Sequence, residues 1–242
     1  MGTLPNDRSA PTLILLPGLD GTGILFSQIV EAIGSGVETR IVAYPTDRPL
    51  GYAELEALVR EALPKDRPYV VLGESFSGPI AIRLGADPPA GLAGIILCVT
   101  FAKNPYPLLG WAATWASSLP VMALPTWVRT PFVWGASATE RDRQESQRAT
   151  AAVGEAVLRH RIAAVLAVDE TSSLARVRIP VLVLQASDDR VLPRAATEHM
   201  LRTLPEAEHV ELRGPHMLLQ IRAAECAAAL RRFLGGFNAC TP

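Results

Sequence analysis

Val70-Val71-Leu72-Gly73-Glu74-Ser75-Phe76-Ser77-Gly78 runs from an apolar, β-branched stretch straight into a serine set among small neighbours. A helical pattern follows from Pro79 to Leu84. Strand, sharp turn and helix in that order lift a serine hydroxyl off the end of a buried sheet, the setting of a nucleophile elbow. Such a turn brings strand and helix into close approach, so the residues two before and two after the serine must be small. Gly73 meets the first demand. Ser77 stands where glycine is usual, and Gly78 follows at once. The plain alternative is an ordinary strand-to-helix turn with a capping serine.

Working outward, Thr12 to Leu16 reads as another buried strand, and it empties into Leu16-Pro17-Gly18-Leu19-Asp20-Gly21-Thr22-Gly23. Three glycines directly after a strand let backbone N–H groups turn toward an anion. The amides of Leu19 and of Phe76, the residue after the serine, are the expected donors to a developing oxyanion. A dinucleotide fingerprint is the competing reading, but its G-x-G-x-x-G spacing is absent.

Downstream, Pro180 to Leu184 is a strand followed by Gln185-Ala186-Ser187-Asp188-Asp189-Arg190-Val191-Leu192-Pro193. A carboxylate at that strand's C-terminal end lies where open α/β sheets place their sites. Asp188 and Asp189 both qualify. Asp189 has the better spacing to the Val-Leu-Pro segment, and Asp188 suits a turn cap or solvent. The last strand, Glu208 to Leu212, leads into Arg213-Gly214-Pro215-His216. His160 sits in a charged helix, His199 in a helix beside Glu198 and His209 within a strand, so His216 is the best candidate base. A neutral imidazole makes a serine nucleophilic at neutral pH, and the chain order Ser, Asp, His fits this arrangement.

Further strands read at Val37 to Ala43, Tyr69 to Leu72 and Gly94 to Val99. Helices read at Leu25 to Ile33, Tyr52 to Leu63, Arg194 to Leu204 and Leu218 to Leu234. Apolar strands alternating with helices predict an α/β fold: a mostly parallel sheet of about six strands with helices on both faces. The alternation stops between 102 and 177. That stretch holds Trp111, Trp115, Trp127 and Trp134 with Phe132, five prolines in its first half, and one or two long helices over 137–168. It reads as a helical cap inserted into a core of 1–101 and 178–242. Trp111 and Trp115 share a helical face. With Trp127, Phe132 and Trp134 they line an apolar substrate pocket, simply bury the cap against the sheet, or form a lid resting on a membrane surface, the last disfavoured by the prolines and the lack of a basic face.

Composition closes off other classes. The 242 residues carry a net charge of −1 with 19% charged residues, which offers no nucleic-acid surface. Cys98, Cys226 and Cys240 have no metal-type spacing, and Cys98 and Cys226 read as reduced core residues, which suits a reducing cytoplasm. Neither H-E-x-x-H nor paired cysteines occur, so neither metal nor cofactor is expected. No signal peptide or membrane span is read. Oligomeric state is not legible.

These motifs resemble the α/β-hydrolase superfamily, and the LPGLDGTG and GESFSG pair is similar to a group of bacterial and plastid-related hydrolases and acyltransferases. The resemblance implies a mostly parallel sheet, a cap inserted after the strand ending near Thr100, and Ser-Asp-His catalysis. Relatives usually begin with two further strands, so a trimmed sheet is expected here. Many also carry histidine where Pro17 stands. The reaction expected is cleavage of a small-molecule carboxylic ester, with a thioesterase or acyltransferase on the same three residues as the near alternative. A binder that keeps the fold without catalysis is the remoter one.

Overall fold

The computed structural model describes residues 11–108, 133–135 and 138–237. In chain order the elements are β1 (Thr12–Leu16), α1 (Ser27–Ile33), β2 (Thr39–Ile41), α2 (Tyr52–Ala62), β3 (Tyr69–Glu74), α3 (Gly78–Ala86), β4 (Leu92–Cys98), α4 (Glu140–Ala151), α5 (Glu155–Ala167), α6 (Thr171–Leu174), β5 (Val181–Ala186), α7 (Arg194–Thr203), β6 (Glu208–Leu212), α8 (Leu218–Ile221) and α9 (Ala223–Gly236). The six strands form one parallel sheet in the order β2-β1-β3-β4-β5-β6, the architecture expected from the alternating pattern.

Every residue of β1, β3 and β5 is buried, whereas β2 and β6 at the edges carry exposed positions. That is why the inner strands read as continuous apolar runs. Alternate residues serve opposite layers. Ile14, Leu16, Val71, Ile95 and Val183 pack with Leu55 and Val59 of α2, Ile80 and Leu84 of α3 and Met200 of α7. Leu13, Leu15, Val70, Leu72, Ile96 and Leu184 pack with Ile29 of α1, Leu218 of α8 and Leu230 and Phe233 of α9. Each such side chain contributes roughly 1.5–3 kcal/mol on full burial, so the frame is stiff where the loops leave it.

Several element ends differ from expectation, and in two elements the difference has a visible reason. The terminal helix expected over Leu218 to Leu234 is broken at Arg222, whose backbone leaves helical geometry (φ −121°, ψ 39°) while its Nε donates to the Arg213 carbonyl at 2.7 Å. The edge strand expected over Val37 to Ala43 shrinks to Thr39–Ile41 because the chain then turns inward, with Tyr44 N–H donating to the Gly21 carbonyl at 2.7 Å. Within the stretch expected to be helical over 137–168, the described residues form two helices, separated around Gly154.

The segment between β4 and β5 leaves and rejoins the sheet through one narrow neck. Asn104 N–H donates to the Val168 carbonyl at 2.8 Å, Glu170 N–H to the Ala102 carbonyl at 2.7 Å, and Lys103 pairs with Asp169. Helix α4 docks on α1 by polar contacts: Ser27 Oγ donates to Glu145 at 2.8 Å, Gln28 Nε2 to Asp142 at 2.5 Å, and Arg141 pairs with Glu31 at 2.7 Å. Among the described residues no helix is long and apolar enough to cross a membrane.

Candidate active site

The chain reverses direction across the sheet between β1 and β3, since β2 lies on one side of β1 and every later strand lies on the other. Loops leaving the C-terminal ends of β1 and β3 therefore part and open a crevice, the usual place for a site in such a sheet. Register makes this specific. Leu16 pairs with Gly73, so the glycine loop starts beside Glu74 and Ser75. Ala186 pairs with Leu212, and Asp188 N–H donates to the Gly214 carbonyl at 3.0 Å, which ties the Asp189 loop to the His216 loop.

Ser75 has φ of 48°, a left-handed conformation that non-glycine residues adopt only under constraint. The neighbours impose it. A Cβ at Gly73 would lie 2.6 Å from the Ser77 carbonyl oxygen, so strand and helix touch backbone to backbone there. Ser77 is accommodated because its hydroxyl has work: it donates to the Pro17 carbonyl and lies 2.6 Å from the Tyr44 hydroxyl.

His216 Nε2 is 2.9 Å from Ser75 Oγ, and His216 Nδ1 is 2.8 Å from Asp189 Oδ2. The other oxygen of Asp189 accepts from the Val191 and Leu192 amides at 2.7 and 2.9 Å, which leaves Oδ2 aimed at the ring. With Nδ1 donating to the carboxylate, the Nε2 lone pair faces the serine hydroxyl. Asp188 points elsewhere, toward Arg213 at 3.8 Å. His216 is buried, Ser75 half-buried.

Ser75 and His216 open on a cavity of about 920 Å³ that Leu19, Phe76 and Trp134 also line. Leu158, Ile162, Val165 and Leu166 of α5 supply an apolar part of its lining. Gly18 accepts the Gly21 N–H at 3.0 Å inside the loop. A trans peptide sets C=O and N–H on opposite sides, so the Leu19 N–H faces out of that turn. Trp111, Trp115, Trp127 and Phe132 lie outside the described residues. Among the described residues no group of three or more His, Cys, Asp or Glu could hold a metal ion.

Two residues at the site escaped the sequence reading. Glu74 is buried, accepts from Gln220 Nε2 at 3.1 Å, and has its carboxyl pushed up to about 7 by burial. Nothing in its local sequence marks it beyond its place next to Ser75. Arg161 of α5 is 1% exposed and donates to the carbonyls of Leu19, Asp20 and Pro45. Its signal was present: it shares the apolar helix face of Val157, Leu158 and Val165.

This sheet, with its crevice, is that of an α/β hydrolase. A family model described as "Serine aminopeptidase, S33" matches residues 52–216, more than half of the chain, and the chain belongs to that family. The superfamily resemblance carried by the glycine loop and the Ser75 turn is thereby borne out. The chain is 24% identical over 240 residues to "Putative carbamate hydrolase RutD" of Escherichia coli O157:H7 (strain EC4115 / EHEC), spanning 88% of this chain and 86% of that protein. Its fold is similar to the enol-lactonase from Burkholderia xenovorans LB400, with a TM-score of 0.77, 18% identity and coverage of 94% and 92% of the two chains. It is also similar to a hydrolase from Pseudomonas aeruginosa PA01, with a TM-score of 0.78, 21% identity and coverage of 95% and 92%.

Proposed function

We propose that this hydrolase cleaves small-molecule carboxylic esters with an apolar acyl or alcohol group, through an acyl-enzyme on Ser75. The observation that carries this is the unbroken line of hydrogen bonds Ser75–His216–Asp189 at the mouth of a largely apolar cavity. His216 Nε2 takes the hydroxyl proton as Ser75 Oγ bonds to the ester carbon, and the carbonyl electron pair moves onto oxygen. The Leu19 and Phe76 amides hold that oxyanion; one such donor is worth about 3 kcal/mol of transition-state stabilisation. Collapse breaks the bond to the alkoxide, which leaves with the proton from His216. Water then loses a proton to His216, attacks the acyl carbon, and frees the acid and Ser75.

In the same reading residues 102–177 are the cap, and Trp134 with α5 forms the acyl wall. The carbamate of the RutD name presents the same carbonyl, but the size and apolar lining of this cavity favour a bulkier, greasier ester. Thioesters and acyl transfer to an alcohol use the same first step, and product analysis with acyl-CoA and with added alcohol separates them. The buried, unpaired Cys98 and Cys226 support a reducing, cytoplasmic setting.

The test is labelling with a fluorophosphonate probe alongside p-nitrophenyl ester turnover, with Ser75→Ala as the blank. Wild type should be labelled at Ser75 and the variant inert in both assays. Full turnover by Ser75→Ala would end the serine mechanism.

A further inference from the structure

Arg161 is the one fully buried arginine among the described residues, and it makes no ion pair among them. Its Nη1 donates to Leu19 and Asp20 carbonyls at 2.9 and 2.7 Å, and its Nη2 to the Pro45 carbonyl at 2.9 Å. The guanidinium carbon lies 5.7 Å from the Tyr44 ring centroid and 5.9 Å from that of Phe76, while Nε has no partner among the described residues. Asp20 favours the charge only from beyond ion-pair distance, and taking a guanidinium out of water without direct pairing costs stability. An apolar residue at 161 would continue the helix face and avoid that cost.

The seat is shaped for this side chain. Gly21 has φ of 72°, and any Cβ there would collide with the guanidinium. Gly21 N–H closes on the Gly18 carbonyl, and Tyr44 N–H caps the Gly21 carbonyl. Two of the three carbonyls Arg161 holds, those of Leu19 and Asp20, belong to the peptides directly following the Leu19 amide. With Gly18 C=O turned into the loop, the Leu19 N–H of the same peptide faces the opposite way, and Gly18 itself sits against the Ser75 turn, where a Cβ would lie 3.9 Å from the Ser75 Cβ.

We infer that Arg161 is a positioning residue that holds the Leu19 amide in its anion-binding orientation, linking helix α5 to the loop after β1. The inference rests on the Ser75 mechanism proposed above. Arg161 touches no reacting atom; it acts through the loop. Because Leu158, Ile162 and Val165 on the same helix line the cavity, the acyl wall and the anion loop share one support.

The experiment compares wild type, Arg161→Met and Arg161→Lys with a p-nitrophenyl ester and with an alkylboronic acid, whose tetrahedral adduct on serine carries the anionic oxygen. Circular dichroism and thermal melts establish folding of each variant. Arg161→Met should lose about 10²–10³-fold in kcat, the loss seen when one oxyanion donor is removed, with KM within about threefold. Boronate affinity should fall with kcat. Arg161→Lys, which keeps the charge but reaches fewer carbonyls, should lose less than Arg161→Met in kcat and in boronate affinity together, and this joint loss against wild type carries the test if the Met variant does not fold. A labelled, active wild type beside variants of unchanged kcat, or variants that raise KM alone or spare boronate affinity, would overturn the inference by itself. A wild type that fluorophosphonate does not label removes the serine mechanism and this inference together.

Discussion

The Tyr44 hydroxyl lies 2.6 Å from Ser77 Oγ, and Ser77 in turn donates to the Pro17 carbonyl at the end of β1. Three segments distant in sequence are thus pinned behind the Ser75 turn by one relay of hydroxyls. Ser77 is fully buried, so replacing it with Ala strands both the phenol and the carbonyl. An unsatisfied buried polar group costs about 1–3 kcal/mol, and Ser77→Ala should lose that much in urea unfolding. Tyr44→Phe, which leaves the Ser77–Pro17 bond intact, should lose about 1 kcal/mol. Equal stability of Ser77→Ala and wild type would show the relay to be idle.

Asp189 and Asp188 are neighbours with opposite surroundings, and the pair makes a sharp test of the proposed mechanism. Asp189 receives His216 and two backbone amides, while Asp188 is largely exposed beside Arg213. Asp189→Asn presents an amide to the imidazole and favours the wrong tautomer. It should reduce kcat by about 10⁴-fold, whereas Asp188→Asn should stay near wild type. Comparable losses in the two variants would remove Asp189 from its special place.

Glu74 gives the protein a pH-dependent stability. Burial raises its carboxyl to about 7 from an ordinary 4.5. Between those values the native state holds a proton that the unfolded chain has released. Stability is therefore full below about pH 4.5 and declines as pH rises through about 7. The difference amounts to about 3 kcal/mol. Glu74→Gln removes the titrating group. In urea unfolding at pH 5 and pH 8, wild type should lose about 2.5 kcal/mol more across that interval than the variant. Parallel losses would place the carboxyl near its ordinary value.

The inner strands were readable because burial on both faces makes them continuous apolar runs, as in Val70-Val71-Leu72 and Leu13 to Leu16. Strand ends were less so, since β3 runs on through Gly73 and Glu74, residues that look like turn. Ser75, Asp189 and His216 were readable as neighbours because each lies just past the C-terminal end of a strand in the same sheet. What escaped was contact between loops and helices far apart in the chain. Glu74 meets Gln220 and Arg161 meets Leu19 only once the sheet order and the docking of α5 are known. The helix face of Val157, Leu158, Arg161 and Val165 did hold a clue, because an arginine interrupting an apolar stripe has to find polar partners inside. Which partners it finds is a property of the fold.

The cavity beside Ser75 should be read out by chain length. Burying one methylene is worth about 0.8 kcal/mol, close to a fourfold step in affinity or kcat/KM. For p-nitrophenyl esters from acetate upward, kcat/KM should climb by up to about fourfold per methylene until the wall formed by Leu158, Ile162 and Val165 is reached. Ile162 is half-buried on that wall, so Ile162→Trp intrudes on the cavity without touching Ser75 or His216. The variant should keep acetate turnover near wild type while its climb ends several carbons earlier, which cuts the ratio of octanoate to acetate kcat/KM by tenfold or more. A profile that is flat in wild type, or that Ile162→Trp leaves unaltered, would mean that the acyl group lies somewhere other than against α5. The apolar wall would then be packing rather than a binding surface.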